Sequence, residues 1–180
     1  ILGDAWANFG ELPYLFKVLA AAEPLSIQVH PDKASSEAGF AAENAAGVPL
    51  TAAQRNFKDP NHKPELVYAL TPYRAMNGFR EFAEIASLLQ GLSLPALQAE
   101  IEAFCQQPTD ATLKALFAAS LRLQGDARRE TVTRLLATAQ HRQDEEAFAE
   151  VLRLVAFYPE DMGLFAPLLL NVITLQPGEA

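Results

Sequence analysis

The segment that determines the fold is Leu25-Ser26-Ile27-Gln28-Val29-His30-Pro31-Asp32-Lys33. Apolar and polar side chains alternate along it, and in a β-strand this alternation puts Ser26, Gln28 and His30 on one face. The apolar residues between them are expected to pack on the other face, and Pro31 ends the strand because proline cannot donate to a sheet ladder. Alternation alone favours a half-exposed antiparallel strand with a solvated polar face. The alternative is a strand whose three ligand-capable side chains face a cavity.

Short runs with the same alternation predict further strands on either side of this segment. They cover residues 14–20, 65–70, 75–79 and 171–175, and a turn is predicted at 176–179. A short helix is predicted over residues 35–47, followed by a helical turn from Thr51.

Residues from about 81 to 158 have a different pattern, with four or five amphipathic helices. Apolar side chains recur at helical spacing in five stripes, and we expect them to form the core of a helical region rather than a groove for a partner. The stripes are Phe82/Ile85/Leu88/Leu89, Leu97/Ile101/Phe104, Leu113/Leu116/Phe117, Val132/Leu135/Leu136 and Phe148/Val151/Leu152/Val155.

A second segment with polar side chains, His62-Lys63-Pro64-Glu65, comes just before the strand predicted at 65–70. An imidazole and a carboxylate with an open coordination position are typical of a catalytic divalent-metal site, most often zinc. Spacing alone leaves open whether His62 or Glu65 is the ligand. Both also have structural alternatives, a loop histidine bonded to backbone and a strand-end salt bridge. His141 is expected to be a solvated residue between two helices.

These segments together resemble the paired signature of class I mannose-6-phosphate isomerases, in particular the enteric-bacterial members. The signature is Gln28-Val29-His30-Pro31-Asp32-Lys33 followed by His62-Lys63-Pro64-Glu65. The resemblance extends over the whole chain and includes residues 12–19, 56–61, 79–82, 158–161 and 168–178. It implies an α+β fold, a partial cupin-type β jelly roll with an inserted α-helical domain. The expected division is a cupin region over 1–80, a helical insertion over 81–165 and a return to the cupin region over 166–180.

The resemblance also implies a zinc site. The family holds zinc with a glutamine, a histidine, a glutamate and a second histidine, and the first three correspond to Gln28, His30 and Glu65. Neither His62 nor His141 corresponds to the second histidine. The fourth ligand is therefore expected to lie outside these 180 residues.

The activity implied by the resemblance is the interconversion of mannose 6-phosphate and fructose 6-phosphate through a zinc-stabilised enediol. Ser26 and Lys63 would contact the hexose 6-phosphate, with Lys33 as a weaker candidate, and Lys63 is the catalytic candidate. A lysine beside a positive metal centre can offer a point charge to the phosphate or to a developing oxyanion. The alternative is a non-catalytic, cupin-like metal-binding or sugar-sensing module.

Composition excludes several other classes of protein. The chain has 180 residues, half of them hydrophobic, and a formal net charge of −8, which argues against a broad nucleic-acid surface. No apolar stretch is long enough to predict a membrane span. The lone Cys105 cannot form an internal disulfide and is expected to be a buried small hydrophobe. A chain without disulfides fits a reducing compartment, and we expect the cytoplasm.

Neither end of the sequence resembles a natural terminus. The chain begins Ile1-Leu2-Gly3-Asp4 and stops directly after the turn predicted at 176–179. We therefore expect an internal piece of a longer enzyme, and in isolation we expect it to be inactive and to self-associate through unpaired sheet edges.

Overall fold

A computed structural model describes residues 14–180 of the chain. The described part contains six α-helices, two 3₁₀ segments and two strands. In chain order they are α1 (Lys33–Ala45), β1 (Tyr73–Phe79), α2 (Phe82–Leu89), a 3₁₀ turn (Pro95–Leu97), α3 (Gln98–Gln106), α4 (Asp110–Arg122), α5 (Gly125–His141), α6 (Glu146–Leu154), a 3₁₀ segment (Met162–Leu168) and β2 (Leu170–Leu175).

Helices α2 to α6 and the second 3₁₀ segment enclose the hydrophobic core. All five predicted stripes contribute to it, and side chains such as Phe104, Phe148 and Leu116 are completely buried. The Phe82 and Phe104 rings meet edge to face with their centroids 5.8 Å apart, a favoured arrangement of aromatic pairs. Thr109 begins α4 with a capping box, which satisfies two free backbone donors. The predicted helical core is confirmed.

The sheet consists of β1 and β2, which lie on either side of the helices in the sequence and pair antiparallel. Tyr73 lies opposite Leu175 and Met76 opposite Val172, and the register shifts before Phe79. Gly78 has a φ of +69° at this irregularity, a conformation that only glycine adopts without strain. The Asn171 side-chain amide donates to the carbonyls of residues 77–79. The strands predicted at 75–79 and 171–175 are confirmed, and so is the turn after them.

The prediction of strands at 14–20, 25–30 and 65–70 was wrong, because the described residues of these segments form no strand. A strand needs a partner for its backbone groups. Within residues 14–180, the one residue of these segments with a backbone partner is Ala69, through bonds of 2.8 Å with the backbones of Gly178 and Glu179. Val29, expected to pack inward, is 83% exposed, because no second layer covers it among the described residues. The jelly roll itself is not seen in the described part of the chain, whose sheet has two strands.

Smaller predictions also need correction. Helix α1 begins at Lys33 because the Asp32 side chain caps it, and the segment from Thr51 forms turns rather than a helix. Cys105 is exposed, so its expected burial was wrong; it lies at the edge of the α3 face that buries Ile101 and Phe104. His141 is exposed as expected, but it is the last residue of α5 rather than part of a loop. Among residues 14–180 no helix is long and apolar enough to cross a membrane.

Candidate metal centre

The three predicted metal ligands lie close together, although Glu65 is far from the others in sequence. The Nε2 atom of His30 is 3.5 Å from Oε1 of Gln28 and 3.8 Å from Oε2 of Glu65. Nζ of Lys63 lies 3.9 Å from the other oxygen of Glu65. An imidazole nitrogen, an amide oxygen and a carboxylate oxygen thus converge, with a lysine ammonium beside them.

The spacing of these donors fits a metal ion. Zinc lies about 2.1 Å from nitrogen and oxygen ligands, so two donors on one tetrahedral ion are about 3.4 Å apart. The separations of 3.5 and 3.8 Å from His30 Nε2 are within a few tenths of that value. In the described part of the chain, no group of three or more His, Cys, Asp or Glu side chains is close enough to hold a metal. The convergence at His30 depends on an amide, Gln28.

Three other site candidates, Ser26, His62 and Lys63, make fewer contacts with the described residues. Ser26 and His62 are exposed, and neither makes a hydrogen bond or ion pair with another described residue. Of the two ligand candidates that spacing left open, Glu65 is therefore the one that the structure brings to His30. The side chain of Lys63 is 68% exposed, so its ammonium is available to an anion.

Lys33 is directed towards the loop that precedes Lys63. Its ammonium donates to the Pro60 carbonyl and to Oδ1 of Asn61, both at 3.1 Å. It also forms an ion pair with Glu37 at 3.3 Å, one turn further along α1. Asp32 accepts from the Ser35 backbone at 2.7 Å, and this bond lowers the pKa of its carboxyl below the ordinary value. The start of α1, which follows His30 by three residues, therefore contacts the loop that precedes Lys63.

Two charged residues that sequence reasoning missed fix the chain between the two ligand segments. Arg55 is buried and donates to the carbonyls of Phe57 and Val48 at 2.7 and 2.6 Å. Glu43 accepts from the backbones of Asn56 and Phe57, and these bonds hold the pKa of its carboxyl below the ordinary value. No motif distinguishes either residue from a surface charge, so the sequence contained no signal for them.

The helical region contacts the first ligand segment directly. The hydroxyl of Tyr158, which follows α6, donates to the Pro24 carbonyl at 2.5 Å. Pro24 is two residues before Ser26, so this bond attaches the start of the ligand segment to the end of the helical region.

Two family profiles match the chain. Residues 3–82 match the catalytic domain of type I phosphomannose isomerase, and residues 88–170 match its helical insertion domain. The chain belongs to the type I phosphomannose isomerase family. It is 56% identical over 181 residues to the mannose-6-phosphate isomerase of Escherichia coli K12, covering all of this chain and 46% of that protein. The human mannose-6-phosphate isomerase is 34% identical over 188 residues, covering 95% of this chain and 42% of that one.

Solved structures of phosphomannose isomerases have the same fold as this chain. The Salmonella typhimurium mannose 6-phosphate isomerase, bound to its substrate fructose 6-phosphate and to zinc, matches with a TM-score of 0.88 and 54% identity. The match covers 98% of this chain and 44% of that structure. A zinc-bound holo structure of a mannose 6-phosphate isomerase matches equally well, with the same TM-score and identity. The chain thus spans less than half the length of the relatives it matches.

Proposed function

We propose that this chain is part of an aldose–ketose isomerase that interconverts mannose 6-phosphate and fructose 6-phosphate. The observation that carries the proposal is the convergence of Gln28, His30 and Glu65 in a chain of this family. The similar Salmonella protein binds fructose 6-phosphate and zinc, which supports both the substrate and the metal. A non-catalytic metal-binding module would share the ligands but would lack turnover.

The metal that we propose for this site is zinc, held by Gln28, His30 and Glu65. Zinc, when bound, supplies positive charge beside the reacting oxygens of the sugar. The amide of Gln28 is neutral, so it leaves more of that charge in place than a second carboxylate would. Lys63 lies beside this ligand set, with its Nζ 3.9 Å from a Glu65 oxygen.

Lys63 is proposed as the catalytic residue and, with Ser26, as a substrate contact. Isomerisation moves a proton between adjacent carbons of the sugar, and negative charge develops on the neighbouring oxygens. An exposed ammonium beside the ligand set can hold either that charge or the phosphate. The hydroxyl of Ser26 is on the same segment as Gln28 and His30 and can donate to a sugar oxygen.

The finer architecture also belongs to this proposal. A partial cupin-type jelly roll with the helical region inserted in it is proposed for the part of the enzyme that carries the metal ligands. The proposed domain division is 1–80, 81–165 and 166–180, and the proposed location is the cytoplasm. The β1–β2 pairing supports the division, because the helices α2 to α6 lie in the chain between two neighbouring strands.

The test is a chimera in which these 180 residues replace the matching part of the E. coli relative. We expect the chimera to contain zinc and to isomerise mannose 6-phosphate in a coupled assay. The variants His30→Ala and Glu65→Gln should lose metal and activity together. Lys63→Met should retain zinc but lose most turnover, since one electrostatic group of this kind contributes about a hundredfold or more to kcat.

The matched control is Lys58→Met in the same loop, which removes an equal charge. Lys58 is exposed and forms no hydrogen bond or ion pair with a described residue, so its variant should behave as the parent chimera. A folded chimera that binds zinc without turnover would contradict the isomerase proposal and favour the non-catalytic module. A chimera that binds no zinc would contradict the metal site.

A further inference from the structure

We propose that Lys33 is a positioning residue that holds the two ligand segments beside each other. The proposal rests on the metal site proposed above and assigns Lys33 a role other than substrate contact. It concerns residues 32–61, which connect His30 to the segment containing Glu65. The two ends of this connection meet where Lys33 contacts residues 58–61. We call this contact the neck.

The body of the connection is fixed by its own contacts. Arg55 lies in residues 49–57, which follow α1 and which we call the return loop. Its guanidinium donates to the Val48 carbonyl at 2.6 Å and to Oδ1 of Asn44, near the end of α1, at 2.8 Å. Glu43 holds the backbones of Asn56 and Phe57. These bonds bring the chain back alongside α1 as far as Phe57 and leave residues 58–61 beyond their reach.

At the neck, the ammonium of Lys33 makes the hydrogen bonds that hold residues 58–61. It is three residues after His30, and its acceptors Pro60 and Asn61 are five and four residues before Glu65. Among the described residues, these are the hydrogen bonds that join 58–61 to another segment. Asn61 in turn donates its backbone N–H to Oδ1 of Asp59 at 2.8 Å, which shapes the loop so that both acceptors face Lys33.

The ammonium of Lys33 is already engaged in this arrangement. It donates to two loop acceptors at 3.1 Å and forms an ion pair with Glu37 at 3.3 Å. A phosphate would compete for this ammonium with the loop that presents Lys63 and Glu65. Lys63, whose single described partner is Glu65, has no such conflict. The geometry therefore assigns the substrate charge to Lys63 and the closure of the neck to Lys33.

The test measures the separation of the two ligand segments without metal. Spin labels are placed at Val29 and Leu66, each 83% exposed and next to His30 and Glu65, in a Cys105→Ser background. Distances are compared for the parent chain, Lys33→Met, Lys33→Arg and the matched control Lys58→Met. We expect Lys33→Met to broaden the distance distribution. Lys33→Arg, which keeps a cation with several donors, and Lys58→Met should leave it narrow.

A Zn²⁺ titration of chimeras with the same residue-33 and residue-58 variants supplies the second measurement. Lys33→Met is expected to weaken zinc binding about three- to tenfold, the equivalent of one or two hydrogen bonds, without changing the helical unfolding transition. Equal distance distributions in Lys33→Met and the parent would overturn the proposal, as would a raised KM of the Lys33→Met chimera with unchanged zinc affinity. If the parent chimera binds no zinc, the metal site is wrong, and the distances still decide the role of Lys33.

Discussion

Glu150 is a carboxylate that is 2% exposed and lies between two arginines from different elements. Nε of Arg74 on β1 donates to it at 2.6 Å, and Arg153, one turn along α6, donates to both of its oxygens. Burial raises the pKa of this carboxyl, but the hydrogen bonds from Arg153 and Arg74 outweigh burial and hold the pKa below its ordinary value. Glu150 therefore attaches the sheet to the helical core as a charged group.

Replacing Glu150 by glutamine should lower the free energy of unfolding by about 1–3 kcal/mol, because charge-assisted hydrogen bonds to a buried group are lost. Urea unfolding at neutral pH measures this. The matched control is Glu130→Gln, which removes an exposed ion pair with Arg134 of 2.9 Å within α5. Such pairs contribute less than about 1 kcal/mol. Equal losses in the two variants would contradict the role of Glu150.

The stability difference between the parent and Glu150→Gln should also depend on pH. The pKa of Glu150 is lower in the folded state, so its contribution is complete above the unfolded pKa of about 4.3. It is lost as the pH falls through the folded pKa, because the carboxyl then takes up a proton. We expect the two unfolding free energies to converge in acid. A gap that widens on acidification would contradict the assigned sign.

Among the elements, α1 is held against its return loop by a close approach of Gly39 to Phe57. A Cβ built on Gly39 would lie 2.4 Å from the Phe57 ring, closer than any real contact. The Phe57 backbone is held in place, because its N–H is bonded to Glu43 at 2.8 Å and its carbonyl to Arg55 at 2.7 Å, so the ring can avoid the collision only by leaving its rotamer. The missing side chain at residue 39 is therefore a packing requirement.

The substitution Gly39→Ala should consequently destabilise α1, although alanine favours a helix over glycine by about 1 kcal/mol. Hydrogen exchange of the α1 amides measures the effect and should be faster in the variant. In a Phe57→Ala background the collision is removed, so the same substitution should slow exchange. This change of sign is the internal control. Slower exchange in the parent background would show that the ring yields easily.

The elements also show what the sequence predicts and where prediction fails. The stripes in α2 to α6 were found because helical hydrogen bonds are local and a period of 3.6 identifies the buried face without knowledge of the partner. The alternation of Ser26, Gln28 and His30 indicated a set of candidate ligand side chains. It did not show whether the segment pairs as a strand, because pairing depends on backbone groups remote in sequence. For the same reason, no sequence pattern indicated the roles of Glu43, Arg55 and Glu150. Their partners are identified only by folding.

At the scale of the whole molecule, apolar side chains are distributed unevenly. The helical region buries most of them, whereas the segments 14–20, 25–30 and 65–70 expose several, with Phe16 at 85% and Leu15 at 80%. The segments 14–20, 25–30 and 65–70 also have backbone groups that no described strand pairs. Exposed apolar patches and open strand edges both favour association with another chain.

We therefore expect this 180-residue chain to self-associate. Sedimentation velocity over a wide concentration range should show a mass that rises with concentration. The double variant Phe16→Ser/Val18→Ser, in the exposed segment, should shift the equilibrium towards the monomer. The matched control is Leu121→Ser, an exposed leucine on α4 within the helical region, which should leave the equilibrium unchanged. An equal response of both variants would place the association surface elsewhere. A mass that stays constant and monomeric would show that the exposed segments do not pair between chains.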